Sequence, residues 1–382
     1  MSREIAERAT EHGRLAIDTE FVSERRYQAL LCLAQVAVPD SREEQGVRTD
    51  VLDPLDGLDP APLAATLADP DIEVVMHSGR QDVAILRRSW ETEIRNVFDT
   101  QVAAGFLGFG NQESYESLVR KVLSVRLQGS EGFTRWDRRP LSEQQIEYAR
   151  DDARLLLALG DELERRLDER GRLAWAREEC RALEQATDER DPERIYLRLP
   201  RLARLDVTQR AVARELVEWR EHMARGMDRP AGFVLPDQAL VEIARRLPRR
   251  LEDLEQIRAL PPQTLHRRGE RVLRAVETGR EREPPPPPPE TPRRDARDAP
   301  LIALAQALVR HRSQESGVAV ELIATQSELA SLVGVRRRGE EGGERRVTQG
   351  WRRELVGGEL LELLAGRRSL VVRDGRLQDS ES

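Results

Sequence analysis

Residues 15–21 read Leu-Ala-Ile-Asp-Thr-Glu-Phe, an apolar run of strand length that carries two carboxylates. Side chains at i and i+2 of a strand share a face, so Asp18 and Glu20 point the same way. Carboxylates gathered on one side of a buried strand cost free energy unless something cationic neutralises them. A second acidic motif, Tyr-Ala-Arg-Asp-Asp at 148–152, lies in a helical stretch. There the i, i+4 spacing makes Tyr148 and Asp152 stacked neighbours. Hard divalent ions such as Mg²⁺ take oxygen ligands. Two such ions can clamp the attacking and leaving oxygens of a phosphodiester.

The length of 382 residues suggests two or three domains. With 39% hydrophobic and 34% charged residues, several small domains fit better than one large core. No run of about 18 apolar residues exists, so no membrane span is expected. The first 14 residues are charged and lack the apolar segment of a secretory leader, which points to the cytoplasm. Cys32 and Cys180 stand in apolar or helical contexts and read as buried thiols rather than a disulfide. The formal net charge is −7, yet Arg194–Arg280 holds 19 Arg, no Lys and 12 Asp or Glu. A basic segment inside an acidic chain can supply phosphate contacts. A solvated helical surface of mixed charge has the same composition.

Along residues 14–100, LAIDTEF, LLCLAQVAV, TDVLD and EVVMH read as strands, PLAATLAD and DVAILRRSW as helices. From Gln101 to about Ala186 the pattern is helical, and Ser142 with Gln145 forms the S-x-x-Q signature of a capping box. The order predicts a mixed sheet flanked by helices. The stretch 186–200 reads as a charged connector, and a helical unit follows over about 201–280. Six prolines at 284–289 mark a linker with polyproline II bias. A third, largely helical unit runs from about 298 to 375, and its end, SLVVRDGRL, has the composition of a strand.

Between the acidic motifs lies His-Ser-Gly-Arg-Gln-Asp, residues 77–82. Asp82 alone reads as a helix-capping residue, and Asp152 alone as a helix surface residue. The ordered set of DTE, HSGxxD and YAxxD resembles the DEDD superfamily of exonucleases, in the subclass with a tyrosine in the third motif. More closely, AIDTEF, HSGRQD, FDTQVAAGFLG and WDRRPLSEQQIEYARDD are similar to the ribonuclease D family. Ser78 departs from the usual His-Ala-Gly of the second motif. The helical unit resembles the HRDC domain shared by RecQ-type helicases and ribonuclease D. The resemblance implies a ribonuclease H-like α/β exonuclease domain followed by all-α HRDC-type domains. The boundaries expected are 1–192 for the exonuclease, 198–281 for HRDC, 282–297 for the linker and 298–382 for a divergent HRDC-like domain.

Carried over residue by residue, the resemblance makes Asp18, Glu20, Asp82 and Asp152 ligands of two divalent ions, Mg²⁺ or Mn²⁺. Tyr148 would orient the attacking water. A free tyrosine has a pKa near about 10, so it suits positioning better than general-base work. The implied activity is 3′–5′ exoribonucleolytic release of nucleoside 5′-monophosphates from RNA with a single-stranded 3′ end, notably precursor tRNA, by a monomer. Arg135, Arg138 and Arg139 precede the Tyr148 helix and are candidates for phosphate contacts. Arg245, Arg246, Arg249, Arg250, Arg267 and Arg268 are the densest basic positions of the helical unit. His77 reads as a structural histidine rather than a ligand, and Trp136 as a packing residue rather than a base-stacking one. Two other readings are a DNA exonuclease of the same fold and a catalytically silent nucleic-acid-binding adaptor. The intact set of carboxylates argues against the second.

Overall fold

The computed structural model describes residues 1–43, 46–110, 112–127, 135–287, 296–339 and 345–381. The chain divides into two compact units. One holds Met1–Glu20, Leu31–Thr187 and Pro292–Ser382; the other holds Phe21–Leu30 and Asp188–Thr291.

The first unit opens with α1 (Ser2–His12), which the charged N-terminal sequence did not announce. Three strands follow, β1 (Arg14–Val22), β2 (Leu30–Pro39) and β3 (Val47–Leu52). Then come α2 (Ala61–Ala68), β4 (Glu73–Met76), α3 (Arg80–Ser89) and β5 (Val97–Asp99). The strands form one sheet in the order β3-β2-β1-β4-β5. β2 and β3 pair antiparallel, whereas β4 pairs parallel with both β1 and β5. β2 is buried from Leu31 to Val38, as its unbroken apolar run requires of a strand covered on both faces. β5 is only three residues long, too short for alternation to show in the sequence.

The helical stretch after the sheet gives α4 (Thr100–Phe106), α5 (Tyr115–Leu123), α6 (Glu143–Arg154), α7 (Leu156–Glu169) and α8 (Leu173–Arg181). The capping box that opens α6 is formed. The Gln145 amide donates to the Ser142 hydroxyl at 3.2 Å, and the Ser142 amide donates to the Gln145 side chain at 2.8 Å. α7 buries Leu156, Leu159, Leu163 and Leu167, a stripe with helical spacing. Cys32 and Cys180 are free and buried.

The second unit contains α9 (Pro192–Leu197), α10 (Val207–Gly226), α11 (Ala231–Val234), α12 (Asp237–Arg246), α13 (Leu251–Glu255) and α14 (Pro262–Glu281). α9 lies where the sequence suggested a plain connector, and its Tyr196 is fully buried in the unit's core. α10 and α14 cross so closely that a Cβ on Gly279 would stand 2.7 Å from Val212 Cα. Only glycine allows that approach.

The rest of the first unit begins with α15 (Asp298–Ser316), α16 (Val320–Ile323) and α17 (Gln326–Arg337). Helical segments over Gly350–Arg352, Arg353–Gly357 and Gly358–Leu364 follow. The chain ends in an antiparallel hairpin, β6 (Arg368–Arg373) and β7 (Arg376–Glu381), so this stretch is not all helix. Part of the proline-rich stretch lies outside the described residues. The C-terminal stretch shares one hydrophobic core with the sheet domain. Trp351, 1% exposed, sets its ring edge-on to Phe106 at 4.8 Å and stacks on Trp175 at 5.7 Å. Beside it, Arg352 reaches Glu179 at 2.5 Å and Arg346 reaches the same carboxylate at 2.8 Å. Burial opposes the Glu179 charge, but these two guanidiniums more than offset it and hold the carboxyl below its usual range.

Candidate active site

β1 places alternate residues on opposite faces. Leu15, Ile17 and Thr19 are buried on one; Asp18 and Glu20 follow Ala16 on the other and stay half-buried. The ladder between β1 and β4 runs from Arg14 opposite Glu73 to Ala16 opposite Val75. The part of β1 bearing Asp18 and Glu20 thus extends past the last position paired with β4. Ligand sites of open α/β sheets form outside the carboxyl ends of parallel strands in this way.

After Met76 the chain turns through His77, Ser78 and Gly79 into α3. Ser78 takes a left-handed φ of 56°, unusual for a residue with a side chain. A Cβ on Gly79 would stand 2.8 Å from the Met76 side chain. Asp99 holds this turn: one carboxylate oxygen accepts the Gly79 amide at 2.7 Å, the other caps α4 through the Gln101 and Val102 amides. The turn delivers Asp82, 7% exposed, in the first turn of α3, where the Thr19 hydroxyl donates to it.

α6 supplies the third element. Tyr148 and Asp152 lie one turn apart, and the phenol donates to the Asp152 carboxylate. The Trp136 ring, 5% exposed, stacks on Tyr148 with centroids 6.2 Å apart. Trp136 is therefore a packing residue that fixes the phenol. His77 binds the Thr100 hydroxyl at 2.9 Å through Nδ1 and also hydrogen-bonds the Glu113 carbonyl, which accounts for both ring nitrogens.

Asp18 and Glu20 both lie within reach of the charges of Asp82 and Asp152. Asp18 is pushed well above the ordinary aspartate value by burial, then by the charges of Asp82, Asp152 and Glu20. Glu20 is raised to about 8 by burial and by Asp152 and Asp82. Asp152 rises to about 7 through burial, against the Tyr148 hydrogen bond. Asp82 rises to about 6 through burial, against the Thr19 hydrogen bond. Burial, then Asp152, Glu20 and Asp18, also push the Tyr148 phenol up, so it stays protonated at neutral pH. Among the described residues, no three acidic, His or Cys side chains are drawn together as tightly as metal ligands. Asp82 is turned to Thr19 and Asp152 to Tyr148. A set of buried, mutually repelling oxygen donors fits a divalent cation.

Asp99 and Tyr115 escaped the sequence reading. The Tyr115 hydroxyl donates to the Asp151 carbonyl at 3.4 Å, and its ring lies 5.6 Å from His77. Burial and then the charge of Asp152 raise its phenol. Neither spacing nor composition marks such a residue, because its partners are 36 and 38 positions away.

The arginines fall into different settings. Arg139 donates to Asp53 at 2.6 Å, to the Cys32 carbonyl at 3.0 Å and to the Trp136 carbonyl at 2.7 Å. Its guanidinium is thus committed to holding the loop. Arg135 pairs with Asp137, and Arg138 is exposed. Arg245 and Arg246 share Glu242. The Arg249 and Arg250 amides donate to Asp253. Arg267 and Arg268, with Arg271 and Arg274, line a groove of about 650 Å³ in the helical unit. Arg268 and Arg271 rest on the sulfurs of Met227 and Met223 at 3.5 and 3.8 Å.

Residues 1–168 match the family model of a 3′-5′ exonuclease, and residues 209–276 match that of the HRDC domain. The chain is 33% identical to ribonuclease D of Nitrobacter hamburgensis, over 95% of this chain and 93% of that one. It is 34% identical to ribonuclease D of Zymomonas mobilis, over 95% and 92%. The fold superposes on the crystal structure of Escherichia coli RNase D, an exoribonuclease involved in structured RNA processing. That match has a TM-score of 0.83, 27% identity and 96% coverage of both chains. No helix among the described residues is long and apolar enough to cross a membrane.

Proposed function

The chain belongs to the ribonuclease D family and is a 3′–5′ exoribonuclease, and from that premise we propose that Asp18, Glu20, Asp82 and Asp152 hold the divalent ions its hydrolysis requires. Its support is that Asp18 and Glu20 share one face of β1 and that Asp82 and Asp152 lie near enough for their charges to raise both. Two bound ions, Mg²⁺ or Mn²⁺, would supply a more acidic water and neutralise charge on the scissile phosphate. Tyr148 keeps its proton and holds the attacking water by hydrogen bonding, with Trp136 fixing the ring. Glu20 accepts a hydrogen bond from the same water. In-line attack at the terminal phosphodiester releases a nucleoside 5′-monophosphate.

The α14 groove supports a second part of the proposal. Among the described residues, no carboxylate lies within ion-pair distance of Arg267, Arg268, Arg271 or Arg274, although Glu255 and Glu270 line the same groove. Unpaired guanidiniums suit phosphate oxygens, so α14 grips the RNA backbone without reading sequence. Arg138, Arg249 and Arg250 are further candidates, whereas Arg139 is engaged internally. The substrate we assign is structured RNA with a single-stranded 3′ end, precursor tRNA foremost, processed by a monomer in the cytoplasm. Residues 1–192 form the exonuclease domain and 198–281 the HRDC domain, with 298–382 as an accessory domain folded into the first core. The test is digestion of matched 3′-tailed RNA and DNA with Mg²⁺, Mn²⁺ or EDTA, resolved to single nucleotides. Ion-dependent 5′-mononucleotides from RNA are expected; turnover undiminished by EDTA would overturn the metal assignment.

A further inference from the structure

The loop after the catalytic strand is built into the helical unit. β1 runs unbroken from Asp18 and Glu20 to Phe21 and Val22, and Phe21–Leu30 belong with Asp188–Thr291. The loop's anchor is Tyr27, 8% exposed and packed against Ala224, Ala231 and Val234. Two guanidiniums lie over its ring, Arg190 at 5.4 Å and Arg225 at 5.7 Å. Its hydroxyl donates to Glu221 at 3.1 Å. Glu221 is itself 3% exposed and bound by Arg190 at 2.7 Å. A second clamp lies beside it. The Asp228 carboxylate accepts the Tyr27 amide at 3.1 Å and the Arg26 guanidinium at 2.7 Å.

This is a large investment for a surface loop. Loops ordinarily run over the surface with few side-chain ties. Here an aromatic ring, a buried carboxylate, two cation–π contacts and an aspartate clamp fix seven residues. A mobile loop would leave the end of β1 free to shift, and displacements of about 1 Å at a reacting centre cost on the order of 10²-fold in rate.

We propose that Tyr27 is a positioning residue: by locking the β1–β2 loop into the helical unit it fixes the strand end that presents Asp18 and Glu20 to the metal. The inference rests on the assignment of those two carboxylates as ligands. It gives the helical unit a role in catalysis separate from RNA binding.

The test uses the full chain with Tyr27→Phe, Tyr27→Ala and Asp228→Ala. Asp228 is exposed, so its variant releases the outer clamp without opening the core. Rates are measured on a short single-stranded RNA, and Mn²⁺ affinity by calorimetry on the metal-free protein. We expect Tyr27→Ala to lower kcat by roughly 10- to 100-fold with KM within about twofold, and to weaken Mn²⁺ binding. Tyr27→Phe keeps the ring under both arginines and should restore most of the rate. Asp228→Ala should shift kcat and Mn²⁺ affinity in the same direction by less. If Asp228→Ala matches the wild type in kcat and Mn²⁺ affinity while melting earlier, the loop only stabilises the fold and the proposal fails. Asp18→Asn run alongside separates the two assignments: wild-type activity in that variant would remove the ligand assignment itself.

Discussion

Replacing Asp18 or Asp152 by asparagine keeps shape and removes charge. Each loss should cost several kcal/mol of transition-state stabilisation, about 10³-fold or more in kcat, with the fold intact. A purified, ion-replete variant with near-normal kcat would strike that residue from the ligand set. Tyr148→Phe leaves the stack on Trp136 in place and deletes the hydroxyl. It should lower kcat by roughly 10- to 1000-fold with little change in KM. The carboxylates also set a pH dependence of stability. Glu20, Asp152 and Asp82, raised to about 8, 7 and 6, bind protons in the folded state at pH values where an unfolded chain has lost them. Their contribution to the stability of the metal-free protein is therefore fully present only below about pH 4, where both states are protonated, and is lost as pH rises through about 6 to 8. Glu164, raised to about 7 by burial and by Glu73, adds to the same slope. The share of the site is thus the difference between wild type and Asp18→Asn, whose melting temperature should fall less between pH 5 and 8.5. Equal slopes would mean that the site carboxylates do not repel one another. At this scale Asp18 and Glu20 stood out as carboxylates in an apolar strand, whereas Asp82 and Asp152, each ordinary alone, stood out only through the resemblance of the ordered motifs. Asp99 and Thr19 did not, because a capping aspartate and a threonine in a strand break no local rule.

At the scale of elements, the site depends on a turn, a cap and a loop. Asp99→Ala would remove the α4 cap, worth about 0.5–2 kcal/mol, and release the Gly79 amide that shapes the turn before Asp82. Both thermal stability and kcat should drop, and a loss confined to stability would show that the turn holds its shape unaided. β1, β2 and α6 could be read from the sequence because each carries an apolar run of strand length or a capping signature. β5 and α9 could not, the first because three residues hold no period, the second because a single buried tyrosine orders an otherwise charged segment. The arginines divide by the same logic. Composition puts Arg139 and Arg267 on equal terms, but Asp53 takes the first, and only tertiary structure reveals that pairing.

For the whole molecule, the sequence suggested a C-terminal domain beyond a proline linker with its placement open. The structure instead merges it with the catalytic core through Trp351, Trp175 and Phe106. Contacts between segments 175 or more residues apart leave no local trace. Trp351→Ala should cost about 3–5 kcal/mol, a large fraction of the roughly 5–15 kcal/mol that holds a typical domain folded. The nuclease unit should melt with the C-terminal stretch in one transition; two separate transitions would contradict a shared core. RNA binding by the helical unit is best tested without truncation, by substituting Arg267, Arg268, Arg271 and Arg274 with glutamine. Each lost phosphate contact should flatten the plot of log K against log salt by about 0.7, and an unchanged slope would move the binding face elsewhere. The central claim, that the four carboxylates hold the ions hydrolysis needs, is tested most directly by calorimetric titration of Mn²⁺ in the presence of a nucleoside 5′-monophosphate. Wild type should bind two ions per chain and Asp18→Asn should lose at least one of them, whereas superimposable isotherms would contradict the account.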